Sequence, residues 1–329
     1  MKRTICLALL IIFCLPLLCL GAKKNILVIE SYHAEYPWDI SYKEGLEQVL
    51  GKSYHLLYFP MDTKRIPASE FKNRAQLAFE EYQRINPELV ILGDDNALKF
   101  VGPKLAGKKT PVVYLGINQN PRNYNMFGPA NITGVLERPL MKRSILYFKE
   151  ILNPQPKKIL VLFDTGATSR SSVQMIFRGK NSTYIGGIRT DLRLIGKLSD
   201  WENTVLSSKT DGYDAIIVGL YHTITDEAGN HADAGSILEW TSRNTPLPPF
   251  CFWDFTVGPK KTIGGLVLFG KIQGQTAGRT ALKILSGTRP KDIHPVAAEK
   301  GRLLFSKSQL KKWKIKIPNQ ILNEVEYID

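Results

Sequence analysis

Cysteine is scarce in this chain of 329 residues: there are four, and Cys6, Cys14 and Cys19 all fall within the first 21 positions. A mature chain beginning near Ala22 holds Cys251 alone, so no internal disulfide can form in it, whatever the compartment allows. Pro249-Phe250 and Phe252-Trp253 flank Cys251, which predicts a buried core thiol rather than a nucleophile. Enzyme signatures are also missing. No Gly-x-Gly-x-x-Gly follows the first strand, and neither a Walker loop nor a Gly-x-Ser-x-Gly elbow is present. The five histidines, His33, His55, His222, His231 and His294, lack metal-ligand spacing, and Asp226, Asn230 and Asp233 fit no calcium loop. No composition bias marks the chain as collagen-like or disordered, since 43% is hydrophobic and 22% charged.

What is present begins with a leader. Met1-Lys2-Arg3 is basic, and Thr4 to Leu20 runs without a charge and is interrupted by Pro16. This is the layout of a cleaved secretory signal peptide over 1–21, with export to the periplasm as the expectation. Acylation of Cys19 is the less favoured alternative, because Leu18 precedes it where a small residue is the norm. The net charge is +14, but the lysine pairs, such as Lys108-Lys109 and Lys260-Lys261, are scattered along the chain. A solvated basic surface is the simpler reading, and nucleic acid is not an expected partner.

Length suggests two domains. Short apolar runs alternate with stretches of helical period, the pattern of βαβ units around a mostly parallel sheet, so the fold class is α/β. Ile26 to Ile29, Leu56 to Phe59, Leu89 to Leu92 and Val112 to Leu115 read as strands of a first lobe. A helix follows Trp38-Asp39, and a second begins after Pro67 with Ser69 as its cap. Lys157-Lys158-Ile159-Leu160-Val161 echoes Lys23-Lys24-Asn25-Ile26-Leu27, which predicts a second lobe on the same plan. Its strands are placed near Arg189 to Ile195, Ala215 to Val218 and Phe250 to Phe252, and its helices near Arg138 to Leu152, Ser171 to Phe177 and Gly235 to Ser242. The expected division is 22–134 for the first lobe, closed by a return segment near 264–290, then 135–263 for the second, with 291–329 packing back on both. Asn131 to Val135 is expected as a crossover, and Thr133 to Leu136 with Gly264-Gly265 as a two-segment hinge.

Ligands of open α/β sheets bind beyond the carboxyl ends of the strands. The loops there offer Ser31, Tyr32, Tyr36 and Trp38, then Asp94, Asp95 and Asn96, then Asn118 from the first lobe. The second lobe offers Thr165 and Ser169, Tyr221 and His222, and Trp253 and Asp254. Carboxylates and aromatic planes on both sides of a cleft suit a small polar molecule. No cofactor is implied.

The Ser31-Tyr32-His33 loop leading to Tyr36-Pro37-Trp38, the segment Asn131-Ile132-Thr133-Gly134-Val135 and the tail Trp313-Lys314-Ile315-Lys316-Ile317-Pro318 match a known pattern. The chain resembles the type I periplasmic solute-binding proteins, within them the ABC-transporter substrate-binding family of tryptophan and tyrosine binders and related sensor domains. That resemblance implies two Rossmann-like lobes joined by a hinge of crossing segments, a non-enzymatic monomer, and capture of an amino-acid-like ligand for an ABC permease. A sugar is the runner-up ligand. A membrane sensor as the receiver, or a periplasmic hydrolase, are the alternative functions. An ammonium is expected to meet Asp94 or Asp254, and a carboxylate to meet Ser31, Thr165 and helix-start N–H groups. Departures lie at Asp94-Asp95-Asn96, where many members carry Thr-Pro-Ala, and at Tyr221-His222, where Asp-Asn is common.

Overall fold

The computed structural model describes residues 23–138, 140–298 and 301–329; the expected signal peptide lies outside them. The strands are β1 Lys24–Glu30, β2 Tyr54–Pro60, β3 Leu89–Gly93, β4 Val112–Ile117, β5 Ile132–Leu136, β6 Lys158–Asp164, β7 Ser182–Ile185, β8 Ile188–Ile195, β9 Ala215–Val218, β10 Pro249–Cys251, β11 Gly264–Val267, β12 Val296–Ala297, β13 Arg302–Ser306 and β14 Val325–Ile328. The helices are α1 Pro37–Leu50, α2 Phe71–Ile85, α3 Asp94–Phe100, α4 Gly102–Leu105, α5 Met141–Ile151, α6 Ala167–Phe177, α7 Leu198–Ser207, α8 Ala234–Asn244, α9 Gly270–Leu285 and α10 Lys307–Trp313.

Two sheets carry the lobes. The first runs β12-β5-β4-β3-β1-β2, all parallel, and the second runs β10-β9-β6-β8-β7. The order β2-β1-β3-β4 in one matches β8-β6-β9-β10 in the other, so the sequence echo between Lys24 and Lys158 places each copy on the equivalent central strand. Side chains alternate across each strand. Ile26 and Val28 enter the core shared with the second lobe, while Leu27 and Ile29 enter a core on the opposite face under α2 and α3. Along β6, Ile159, Val161 and Phe163 face the shared core and Leu160 and Leu162 the far one. Both faces are buried, which is why these strands are continuous apolar runs.

Local chemistry explains the element ends. Pro37 opens α1, where its missing N–H is no loss, and Asp39 in the first turn meets the positive end of the helix dipole. Gly45 of α1 and Gly274 of α9 let those helices touch: a Cβ on Gly274 would lie 2.0 Å from the Tyr42 carbonyl oxygen. The Ser69 cap does not form. A 3-10 turn over Ala68–Glu70 precedes α2, and neither has a side-chain cap. Three further differences have physical causes. Gly186 and Gly187, both at positive φ, make a tight hairpin between β7 and β8 that the sequence reading left out. Asn131 to Val135, expected as a crossover, instead forms β5 inside the first sheet between β4 and β12, and the chain crosses directly after it. Gly264-Gly265 is not a free hinge, because β11 pairs with β13 in a third sheet, β11-β13-β14.

The chain therefore crosses between lobes three times: after β5, between β11 and α9, and after β12. The third sheet packs on the second lobe, as Ile263 N–H bonds the Pro249 carbonyl and Gln309 Nε2 bonds Ser242 Oγ at 3.1 Å. Helix α9 packs on the first lobe along α1. Cys251 is fully buried, and burial pushes its thiol up to about 11.

Candidate functional site

The carboxyl ends of both sheets face each other across a cleft, closed to a narrow inner cavity of about 10 Å³. That is room for roughly one water molecule. Its walls are Tyr32, Tyr36, Trp38, Lys64 and Asp94 from the first lobe, Glu137 from the first crossing, and Thr168, Leu220, Trp253 and Phe255 from the second. The lobes bond directly across it. Tyr32 Oη and Thr168 Oγ1 share a hydrogen bond at 2.9 Å, Ser172 Oγ donates to Asn118 Oδ1 at 2.9 Å, and Tyr36 Oη lies 3.5 Å from His222 Nδ1.

Asp94 forms the floor. It follows β3 directly with φ +69, and its side chain is 2% exposed. Oδ1 accepts from Tyr32 Oη at 3.3 Å, whereas Oδ2 has no hydrogen-bond partner among the described residues. Trp38 Nε1 is also without one. Both atoms converge on Gly116, where a Cβ would lie 3.2 Å from Asp94 Oδ2 and 3.3 Å from Trp38 Nε1; Gly116 itself holds φ +69. An orphaned buried acceptor and donor side by side are expensive unless a bound group serves them. Burial, with Glu137, Asp39 and Asp95 adding repulsion, holds the Asp94 carboxyl well above the usual range.

Glu137 ties the crossing to both lobes. Its Oε1 accepts from Trp253 Nε1 at 2.8 Å and its Oε2 from Asn118 Nδ2 at 3.1 Å. Burial pushes it up to about 8 against these two bonds. Arg138 clamps the neighbouring backbone, donating to the carbonyls of Ile117 at 2.8 Å and Asn118 at 2.9 Å.

Outside the inner cavity a larger compartment of about 810 Å³ opens, and Tyr36, Lys64 and Phe255 line both. Its wall includes His33, Tyr221, His222, Arg65, Lys260 and Lys261. His222 is wedged between Tyr36, Tyr221 and Phe255. Burial, with Lys64 and His33 nearby, lowers its pKa well below the ordinary value, so it is neutral.

Of the residues expected from sequence, Tyr32, Tyr36, Trp38, Asp94 and Trp253 come together on the inner cavity, and Tyr221 and His222 on the outer one. The others hold the scaffold. Ser31 Oγ donates to the Gly93 carbonyl at 2.5 Å and accepts from Ala97 N–H at 2.8 Å, so it is not free for a ligand carboxylate. Asp95 takes the N–H groups of Asn118 and Gln119 and the Tyr124 hydroxyl. Asn96 Nδ2 donates to Thr63 Oγ1 at 2.8 Å, and Ser169 Oγ to Asp164 Oδ1 at 2.5 Å. Asn118 supports Glu137. Neither Thr165 nor Asp254 lines either cavity; Asp254 Oδ1 accepts from Phe255 N–H at 2.9 Å and caps its own turn. Lys64, Glu137, Thr168, Leu220 and Phe255 were missed. The strand-end rule would have found Lys64 had it been applied after β2, and Glu137 after β5.

Two lobes of this order closing over a shared cleft define the type I periplasmic binding protein fold. Solved structures agree. The ABC domain from Streptococcus pneumonia in complex with L-Trp aligns with TM-score 0.69 at 17% identity, covering 94% of this chain and 100% of that one. A conserved domain protein from Vibrio cholerae aligns with TM-score 0.70 at 17% identity over 93% and 100%. A ligand-free, open substrate-binding protein with adhesive properties from Clostridium difficile aligns with TM-score 0.66 at 14% identity over 93% and 99%. No curated protein sequence matches significantly. The family model for ABC transporter substrate binding proteins matches residues 101–327, and the chain belongs to that family.

Proposed function

We propose that this is a periplasmic solute-binding protein that captures a small, amino-acid-like molecule between its lobes and delivers it to an ABC permease. The observation that carries the reading is the pair of unpartnered buried atoms, Asp94 Oδ2 and Trp38 Nε1, at the floor of a cleft walled by both lobes. A carboxylate and an indole N–H can serve a ligand that both donates and accepts, while Tyr36, Trp253 and Phe255 supply apolar faces. The basic wall of Arg65, Lys260 and Lys261 gives a ligand carboxylate its place. A ligand touching both lobes binds the closed form better than the open one, and that difference shifts the population. The leader at Met1 to Gly21 supports export, and a monomer suffices because one chain supplies both lobes.

Native mass spectrometry of the exported protein tests this, followed by calorimetry with the amino acids and simple sugars. The expected result is a bound small molecule released with unchanged mass. Absence of binding across the panel, or release of a converted product, overturns the reading.

A further inference from the structure

Among the described residues Lys64 is the one cation that lines the inner cavity, and no carboxylate is in contact with it. It is 7% exposed, and its ammonium rests on two tyrosine faces, 4.3 Å from the Tyr32 ring centroid and 4.9 Å from that of Tyr36. Among the described residues it forms no ion pair within 4.0 Å. The carboxylates acting on it from farther away are Asp164, Asp94, Asp39 and Glu137, and burial works against them to lower its pKa. Four acids and several aromatic faces around one cation are the chemistry of an ammonium receptor. The unpartnered Asp94 Oδ2 on the same cavity adds an acceptor that Lys64 does not reach.

The segment carrying Lys64 is fixed. Asp62 N–H bonds the Tyr32 carbonyl and Thr63 N–H the Ser31 carbonyl, both at 3.0 Å, and Thr63 Oγ1 adds a second bond to Ser31 at 2.7 Å. Asn96 holds Thr63 from the other side. The side chain, in contrast, has four rotatable bonds and lines both compartments, so it can withdraw into the outer one while its backbone stays in place.

We propose that the inner cavity is an ammonium site which the protein's own Lys64 occupies in the unliganded molecule, and that a ligand carrying an amine enters by displacing it. This rests on the solute-binding reading and narrows it to amine-bearing ligands. Lys64 is then a tethered competitor: it keeps the acid-rich cleft closed and neutralised, and it lowers the apparent affinity for ligand by the cost of moving out.

Two variants and named probes test it. Lys64→Ala removes three methylenes and the ammonium; n-butylammonium carries the same head group on a chain one carbon longer. In the ligand-free Lys64→Ala protein above about pH 8, where Glu137 has released its proton, the facing carboxylates should open the cleft, read as a larger radius of gyration by small-angle scattering and a lower melting temperature. Millimolar n-butylammonium should reverse both, n-butyrate and n-butanol should reverse neither, and the parent should respond only at about tenfold higher concentration or not at all. Lys64→Met keeps the shape without the charge and serves if the alanine variant does not fold; it should bind tryptamine at least about tenfold more tightly than the parent by calorimetry. Rescue by butyrate, weaker tryptamine binding by Lys64→Met, or no response of either variant to either amine overturns the proposal. If butylammonium rescues but the parent binds no solute, the ammonium site stands and the transport reading falls. If the parent binds L-tryptophan and Lys64→Met loses it, Lys64 anchors the ligand carboxylate and only this proposal falls.

Discussion

Replacing Glu137 by glutamine should abolish a pH dependence of stability that the wild-type protein carries at its first crossing. Glu137 is 2% exposed and is pushed from 4.5 to about 8 by burial. Its folded value lies above its unfolded one, so the stability it contributes is fully present below about pH 4.5. As pH rises toward about 8 the unfolded chain has released the proton while the folded one still holds it, and that stability is lost. The gap corresponds to at most about 5 kcal/mol, at about 1.4 kcal/mol per pH unit. Because Glu137 in turn raises Asp94, part of this belongs to the pair, and about 2–4 kcal/mol should be specific to Glu137. Glutamine mimics the neutral acid. It still accepts from Trp253 Nε1, but its amide faces Asn118 Nδ2, so Asn118 must flip, and its Oδ1 then turns from Ser172 toward residue 137. That rearrangement should cost about 1 kcal/mol at low pH. Urea unfolding followed by tryptophan fluorescence near pH 5 and near pH 9 measures both effects. The variant should start slightly less stable and finish more stable than the wild type. A stability difference that is the same at both pH values would refute the assignment of that proton to Glu137.

Thr168→Val removes the inter-lobe bond to Tyr32 Oη and should shift the cleft toward the open form by about 1 kcal/mol, seen as a larger radius in small-angle scattering; an unchanged radius counts against that bond holding the lobes. Trp38→Phe deletes an N–H that has no hydrogen-bond partner among the described residues, so the melting temperature without ligand should hold while ligand affinity falls about tenfold by calorimetry. Asp254→Ala should leave affinity within about threefold and cost about 1 kcal/mol or less in thermal stability, because the carboxylate serves only its own turn. Gly264→Ala should lower the melting temperature severely or prevent folding, since the new Cβ would sit 1.9 Å from the Leu304 carbonyl oxygen at φ +118.

The sequence by itself determined the lobes. Strands buried on both faces must be apolar runs, so β1, β3, β4, β6 and β9 could be read from runs rich in Ile, Val and Leu, and the repeated Lys-Lys start marked the two central strands. Strand ends then named five of the inner wall residues, because a parallel sheet always presents its carboxyl ends to a ligand. Asp94, Asp95 and Asn96 show where this stopped. They are three adjacent polar residues at one strand end, indistinguishable in the sequence. The tertiary structure aims Asp94 into the cavity, turns Asp95 onto the N–H groups of the next loop, and gives Asn96 to the segment that carries Lys64. The role of Gly264-Gly265 was beyond the sequence for the same reason. Gly264 and Gly265 look permissive as sequence, but a missing Cβ also permits close strand pairing, and only the position of β13 decides which use is made of it. Lys64 is the clearest case: a lysine in a loop is expected in water, and it takes two tyrosines from a distant loop and acids from both lobes to make a buried ammonium tolerable.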